Sequence, residues 1–303
     1  MKTLHYAMHP NLLALLAIAL WASLAVLGVS LAHVPPFLLT GIALLVGSVV
    51  ALPLIWHKTD ARFDWQQLKV SPRVLALGIY GLFGYHFLFF VALQNAPPVQ
   101  ANLVNYLWPL GIVVMAPIFL PNAKLNAIHI IAACAGFTGA FIAIVGEKVF
   151  QTGLTGIVQE GFALGYIPAL CSAFIWASYS LGTKRLAMTG RSFSTAAIGV
   201  FGVVSGGLSL LCHALMEPAT ALSGHDWLLL IAMGLGPLGA AFYLWDAALK
   251  KGNAQQIGIL SYITPLASTS LLMLFTEKNF TASTALATVL IVGAAVLGTR
   301  TKS

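Results

Sequence analysis

Tyr106–Leu107–Trp108–Pro109 stands in the middle of an apolar stretch, and Tyr262–Ile263–Thr264–Pro265 repeats its frame half a chain later. The same offset of 156 residues pairs Gly78 with Gly234, Ala92 with Ala248, Leu93 with Leu249, Gln100 with Gln256 and Leu110 with Leu266. An offset of 155 pairs Trp21–Ala22–Ser23 with Trp176–Ala177–Ser178. A repeat of half the chain, inside a membrane-like sequence, marks a protein built from two related halves that moves solutes between them.

Composition agrees. Of 303 residues, 59% are hydrophobic and 8% charged, with a mean hydropathy of +0.91. A water-soluble fold carries about 25% charged residues, so water is not the main solvent here. A membrane span needs roughly 20 apolar residues. Ten such runs fit, near 10–32, 35–56, 72–93, 97–119, 126–146, 162–184, 194–216, 226–249, 253–275 and 282–300. The first run is longer than the apolar core of a signal peptide, and its Trp21–Ser23 segment has a counterpart, so it reads as a structural helix. Cys134, Cys171 and Cys212 fall in three different runs and read as small buried hydrophobes.

The net charge of +7 is topological. With the amino terminus inside and ten crossings, thirteen Lys and Arg residues fall in cytoplasmic segments, against only Lys148 and Lys278 outside. That bias puts both termini in the cytoplasm, and charges so dispersed argue against a nucleic-acid partner. The expected fold is an all-α membrane protein of ten transmembrane helices. It divides into a first five-helix repeat, residues 1–155, and a second at 156–303, inverted because five is odd. Solute sites in such proteins lie near the bilayer midplane at the interface of the halves.

Polar stripes point to that interface. Asn102, Asn105, Tyr106 and Pro109 are spaced 0, 3, 4 and 7 and share one helical face, as do Gly258, Ser261, Tyr262 and Pro265. Proline inside a helix clashes with the carbonyl four residues back, so Pro109 and Pro265 are read as helix breaks that free the carbonyls of Asn105 and Ser261. Ser172, Trp176, Tyr179, Ser180 and Thr183 line one face of the sixth run. Trp21, Tyr85, His86, Trp245 and Asp246 are further candidates within the membrane, whereas Trp56, Trp65 and Trp227 fit an interfacial belt. Ionisable groups at this depth are functional candidates by default. The 156-residue offset carries His86 onto Phe242, one turn from Asp246, so His86 and Asp246 form a candidate proton-coupling pair. Lys184 is a candidate partner for a substrate carboxylate.

Enzymatic chemistry finds no support: there is no HExxH, no GxSxG, no phosphate-binding Gly-rich loop and no Cys/His cluster. Neither cofactor nor metal is expected, and gradients must supply any driving force.

Ten spans in two inverted halves resemble the EamA-type branch of the drug/metabolite transporter superfamily. Val104–Asn105–Tyr106–Leu107–Trp108–Pro109, Phe174–Ile175–Trp176–Ala177 and Ser261–Tyr262–x–Thr264–Pro265 resemble the aromatic amino acid exporters within it. The resemblance implies export of aromatic amino acids and other amphipathic solutes across the bacterial inner membrane, through a central cavity and by alternating access. It makes Trp21, Tyr85, Tyr106, Trp108, Trp176 and Tyr179 cavity residues. The full set of expected substrate contacts adds His86, Asn102, Asn105 and Tyr262. The expected partners are a small-molecule substrate and the lipid bilayer, with the protein acting as a monomer. The alternatives are a nucleotide-sugar or other metabolite carrier of the same fold, and a membrane-embedded enzyme.

Overall fold

The computed structural model describes residues 8–57, 61–121, 123–153, 163–276 and 281–300. Lys2, Lys58, Asn122, Glu160, Glu277, Lys278, Lys302 and the expected boundary between residues 155 and 156 lie outside the described residues.

The chain is helical almost throughout. In order it forms α1 (Pro10–Ala22), α2 (Leu24–Ser30), α3 (Pro36–Ser48), α4 (Ala51–Ile55), α5 (Pro72–Ile79), α6 (Tyr85–Asn95), α7 (Pro98–Asn105), α8 (Trp108–Phe119) and α9 (Ala127–Thr152). Then follow α10 (Tyr166–Met188), α11 (Ile198–Met216), α12 (Gly224–Leu235), α13 (Ala241–Lys251), α14 (Ala254–Leu260), α15 (Ile263–Thr276) and α16 (Ala282–Arg300). Starts are set by local chemistry. Pro occupies the first turn of α1, α3, α5, α7 and α8, where its missing N–H costs nothing. Ser71, Asn126, Ser223 and Asn253 cap α5, α9, α12 and α14 through their side-chain oxygens. A two-residue antiparallel hairpin pairs Trp56 with Phe63 and His57 with Arg62, and its aromatic rings continue to Trp65.

Among the described residues, eight stretches are long and apolar enough to cross a membrane. Two of the ten expected spans are not among them: α10, and the α14–α15 pair. α10 has 23 residues, but Ser172, Ser178, Tyr179, Ser180 and Thr183 dilute its apolar character. Both proline-linked breaks are present. α7 ends at Asn105 and α8 restarts at Trp108, while α14 ends at Leu260 and α15 restarts at Ile263. The expected free carbonyl of Ser261 is in fact used, accepting from Thr264 N–H at 3.0 Å.

Two further interruptions were not expected from the sequence, although Pro237 falls in the second. The third and eighth spans each contain one π turn, at Tyr80–Gly84 and Gly236–Ala240. The two turns are separated by the same 156 residues as the sequence repeat.

Packing runs between the halves. α3 lies against α11, α9 against α16, α1 against α13 and α6 against α10. Small residues allow the closest approaches, as expected where lipid supplies no hydrophobic drive and van der Waals contact dominates. A Cβ on Gly47 would sit 2.7 Å from Leu238 O and 2.8 Å from Gly234 O, and one on Gly206 would sit 2.9 Å from Gly41 O. The outer surface is apolar, with Val29, Ile118, Leu215, Leu274 and Val289 all strongly exposed. Cys134 and Cys171 are also exposed and Cys212 half-buried, so they are not the buried hydrophobes expected. Lipid is as apolar as the helix interfaces, and an apolar residue is therefore equally at home on either.

Candidate functional site

Four tryptophans meet in the middle of the bundle, each from a different helix. Trp21 (α1), Trp108 (α8), Trp176 (α10) and Trp245 (α13) are 9%, 6%, 4% and 1% exposed. Edge-to-face contacts dominate: Trp21 to Trp108 at 6.3 Å, Trp21 to Trp176 at 5.8 Å and Trp108 to Trp245 at 5.6 Å between ring centroids. Trp21 and Trp245 approach to 5.1 Å. Phe242, Tyr179 and Tyr85 each touch Trp176, at 5.6, 5.4 and 5.4 Å. Such pairs contribute about 0.5–1.5 kcal/mol each beyond their burial. Trp176 has the most partners, which follows from its place on the inward face of α10.

The rings are fixed by their polar ends. Trp21 Nε1 donates to Pro237 O at 3.1 Å; Pro237 belongs to the second π turn, whose widened backbone leaves that carbonyl open to a side chain. Trp245 Nε1 donates to Ser180 Oγ at 3.1 Å. Both indoles are thus satisfied within the protein, and the rings pack against one another.

A polar node borders the cluster. Asn105 Nδ2 donates to Tyr85 OH at 3.0 Å, and Ser172 Oγ donates to Asn105 Oδ1 at 3.0 Å. Tyr85, whose ring lies 5.4 Å from Trp176, joins the Tyr85–Asn105–Ser172 chain to the indoles. Asn102 and Tyr106 are half-buried one turn and one residue away. His86 is 8% exposed and its Nδ1 lies 2.6 Å from Leu82 O, with its ring edge-on to Phe242 at 6.2 Å. Tyr262 takes a different place. It is fully buried, its ring faces Phe137 at 6.5 Å and lies over Gly136, so it is not brought into the tryptophan cluster.

Asp246 is buried and doubly engaged. Its Oδ2 lies 2.6 Å from Lys250 Nζ and accepts from Thr195 Oγ1 at 2.6 Å. Lys250 also donates to Phe193 O at 2.8 Å and covers the Phe193 ring. The carboxylate therefore points to the end of α13 and the start of α11, not to His86. Lys184, a candidate carboxylate partner, donates to Gly252 O at 2.7 Å and Lys250 O at 3.3 Å. It closes the end of α13, where a cation meets the negative pole of the helix.

Sequence reading named Trp245 but did not place it in the substrate-contact set, and it passed over Phe242. Their signal was spacing: Phe242 and Trp245 are three apart on the face opposite Tyr243, directly after a Gly-Pro-x-Gly segment.

Membrane-length apolar helices packed around a buried aromatic and polar cluster define a multi-pass membrane transporter. The EamA-like transporter family matches the chain twice, over residues 9–145 and 163–300, and the protein belongs to that family, as a multi-pass protein of the bacterial inner membrane. The aromatic amino acid exporter YddG of Ancylobacter novellus is 37% identical over 95% of this chain and 96% of its own length. The proteins of the same name from Salmonella typhimurium and Escherichia coli are 28% and 25% identical, each over 57% of both chains. A solved crystal structure superposes with a TM-score of 0.84 at 36% identity, covering 97% of this chain and 98% of that one.

Proposed function

We propose that the protein exports aromatic amino acids, and other amphipathic solutes, from the cytoplasm by alternating access. The observation that carries this is the four-tryptophan cluster at the junction of the two family-matched segments. An aromatic side chain inserted there replaces one edge-to-face contact with another of the same kind, so desolvation is offset by stacking. Asn105, with Tyr85 and Ser172 behind it, presents hydrogen-bonding groups for the α-amino end, and Asn102 and Tyr106 extend that edge. Because the rings already touch, binding requires them to part. Two halves of five helices, inverted about an axis in the membrane plane and with both termini cytoplasmic, supply the motion: one half rocks against the other. The cross-half pairings support this, since α1 with α13 and α10 with α6 exchange under such an axis. We read the solute's own gradient as the driving force, with His86 and Asp246 each held by a different local partner. The protein acts as a monomer.

Uptake of radiolabelled tryptophan, phenylalanine, threonine and UDP-glucose into proteoliposomes, with and without a pH gradient, tests the proposal. Saturable flux of the aromatic amino acids is expected, reduced roughly tenfold or more in Trp108→Ala, as loss of one or two ring contacts implies, and unchanged by the pH gradient. Flux confined to UDP-glucose would make the protein a nucleotide-sugar carrier. Acceleration by the gradient would restore His86 and Asp246 as a relay.

A further inference from the structure

The opposite face of α10 carries a second feature that the transport site does not use. Arg73, Arg185 and Arg191 surround a cavity of about 500 Å³, walled by Val74, Leu77 and Leu186. All three arginines are exposed. Arg185 donates to Phe119 O at 3.3 Å, and among the described residues no carboxylate pairs with any of the three. Three arginines lining one cavity without a carboxylate partner make it a positively charged pocket suited to an anion. Their planar forks match the paired oxygens of a phosphate better than a point charge does.

The position of the cavity identifies what carries the anion. Gly182, Arg185 and Thr189 line it and continue, at helical spacing of three or four, the row Ile167–Leu170–Phe174–Ser178. Ile167, Leu170 and Phe174 are each more than half exposed, at 54%, 53% and 54%, so this part of the row faces lipid, Ser178 is buried beneath its neighbours, and Trp176 and Tyr179 face inward. On the far rim, Ile118 is 75% exposed. One turn before Gly182, Ser178 Oγ and Tyr80 OH are 2.8 Å apart, a second tie between this helix and the span that carries Arg73. Trp65, 58% exposed, lies in the connection leading into α5 and marks the headgroup level, where tryptophans collect. Gly182 keeps the groove deep: a Cβ there would already touch Leu77 at 3.4 Å.

We propose that this groove binds an anionic glycerophospholipid, with its phosphate between Arg73, Arg185 and Arg191 and one acyl chain running from Leu77 and Gly182 toward Phe174. The site spans both family-matched segments, since Arg73 comes from the first and Arg185 and Arg191 from the second. A bound lipid therefore staples α5 to the end of α10. The proposal depends on neither the transported solute nor the direction of transport.

Native mass spectrometry of the purified protein, delipidated and then offered equal phosphatidylglycerol and phosphatidylcholine, is the test. Retained phosphatidylglycerol should exceed phosphatidylcholine by roughly tenfold or more, as a few interfacial arginines imply. Arg73→Gln with Arg191→Gln should abolish the preference, leaving Arg185 and its bond to Phe119 untouched. Gly182→Leu should lower retention of both lipids with every charge in place. Equal retention of the two lipids by the unmodified protein would overturn the proposal without recourse to any variant. So would phosphatidylglycerol retention indifferent to both sets of substitutions in folded protein. Inorganic phosphate and glycerol 1-phosphate form the last arm: thermal stabilisation by either, matching that by phosphatidylglycerol, would assign the arginines to a soluble anion instead.

Discussion

Lys250 and Asp246 illustrate how a single side chain in this bundle acts through what it leaves behind. Their contact at 2.6 Å is 12% and 2% exposed, so Lys250→Met strands a carboxylate in an apolar interior. Removing one partner of such a pair costs about 3–5 kcal/mol, whereas replacing both is often neutral. Lys250→Met should therefore lower thermal stability in detergent markedly, and Asp246→Asn with Lys250→Met should recover most of the loss. A double variant no more stable than the single one would show that Thr195 and Phe193, not the ion pair, organise this end of α13. Residue-scale features were unevenly legible in the sequence. Trp21 and Trp176 announced themselves because the internal repeat superposes them, and Trp108 because a proline follows it. Trp245 did not: the 156-residue offset sets it against Phe89, so the second half gained an indole where the first has a phenyl ring. Tyr262 departs from the same symmetry in its surroundings. Its counterpart Tyr106 borders the cluster, but Gly136 opens a slot on the other side of Tyr262, and the ring fills it.

At the scale of the element, helix contacts depend on what is missing from α3. Gly47 faces only backbone, so no rotamer change relieves an added methyl. Gly47→Ala should cost about 1–3 kcal/mol through overpacking, read as a fall in unfolding temperature. Gly28→Ala is the matched control. Nothing lies within 4 Å of a Cβ there, and the substitution should be neutral or stabilise slightly through helix propensity, by roughly 0.5–1 kcal/mol. Equal effects at the two sites would mean that the close approach of α3 to α12 carries no strain. Proline chemistry made the breaks at Tyr106 and Tyr262 readable in advance. The π turns were not anticipated: Pro237 marks the second, but the first, Tyr80–Gly84, has no proline, and a change in backbone hydrogen-bond register leaves no mark of its own in apolar side chains.

For the molecule as a whole, contacts between the halves occur at both ends. At one end Glu217 accepts from Phe37 N–H and Leu38 N–H at 2.9 and 3.2 Å, with His213 at 2.9 Å, and His33 meets Asp226 at 3.1 Å. At the other, Ser194 Oγ bonds Gln67 Oε1 at 3.1 Å and Arg185 reaches Phe119. Among the described residues these contacts tie the halves together on both sides of the ring cluster. The proposed topology assigns the Glu217 end to the periplasm. A membrane-impermeant thiol reagent applied to intact cells should label a cysteine placed at Thr220 and not one placed at Arg191, in a background without Cys134, Cys171 and Cys212. The reverse pattern would invert the whole molecule in the membrane.

The paired π turns also date the protein's own history. Each arises from one residue more than an α-helix accommodates, and the two extra residues stand at the same place in both family-matched segments, 80–84 and 236–240. Two independent insertions landing on one register is a far less economical account than one insertion inherited twice. A widened turn present in one half-length sequence before doubling would leave this pattern, and the Trp21–Pro237 bond joins one copy to the other's widened turn.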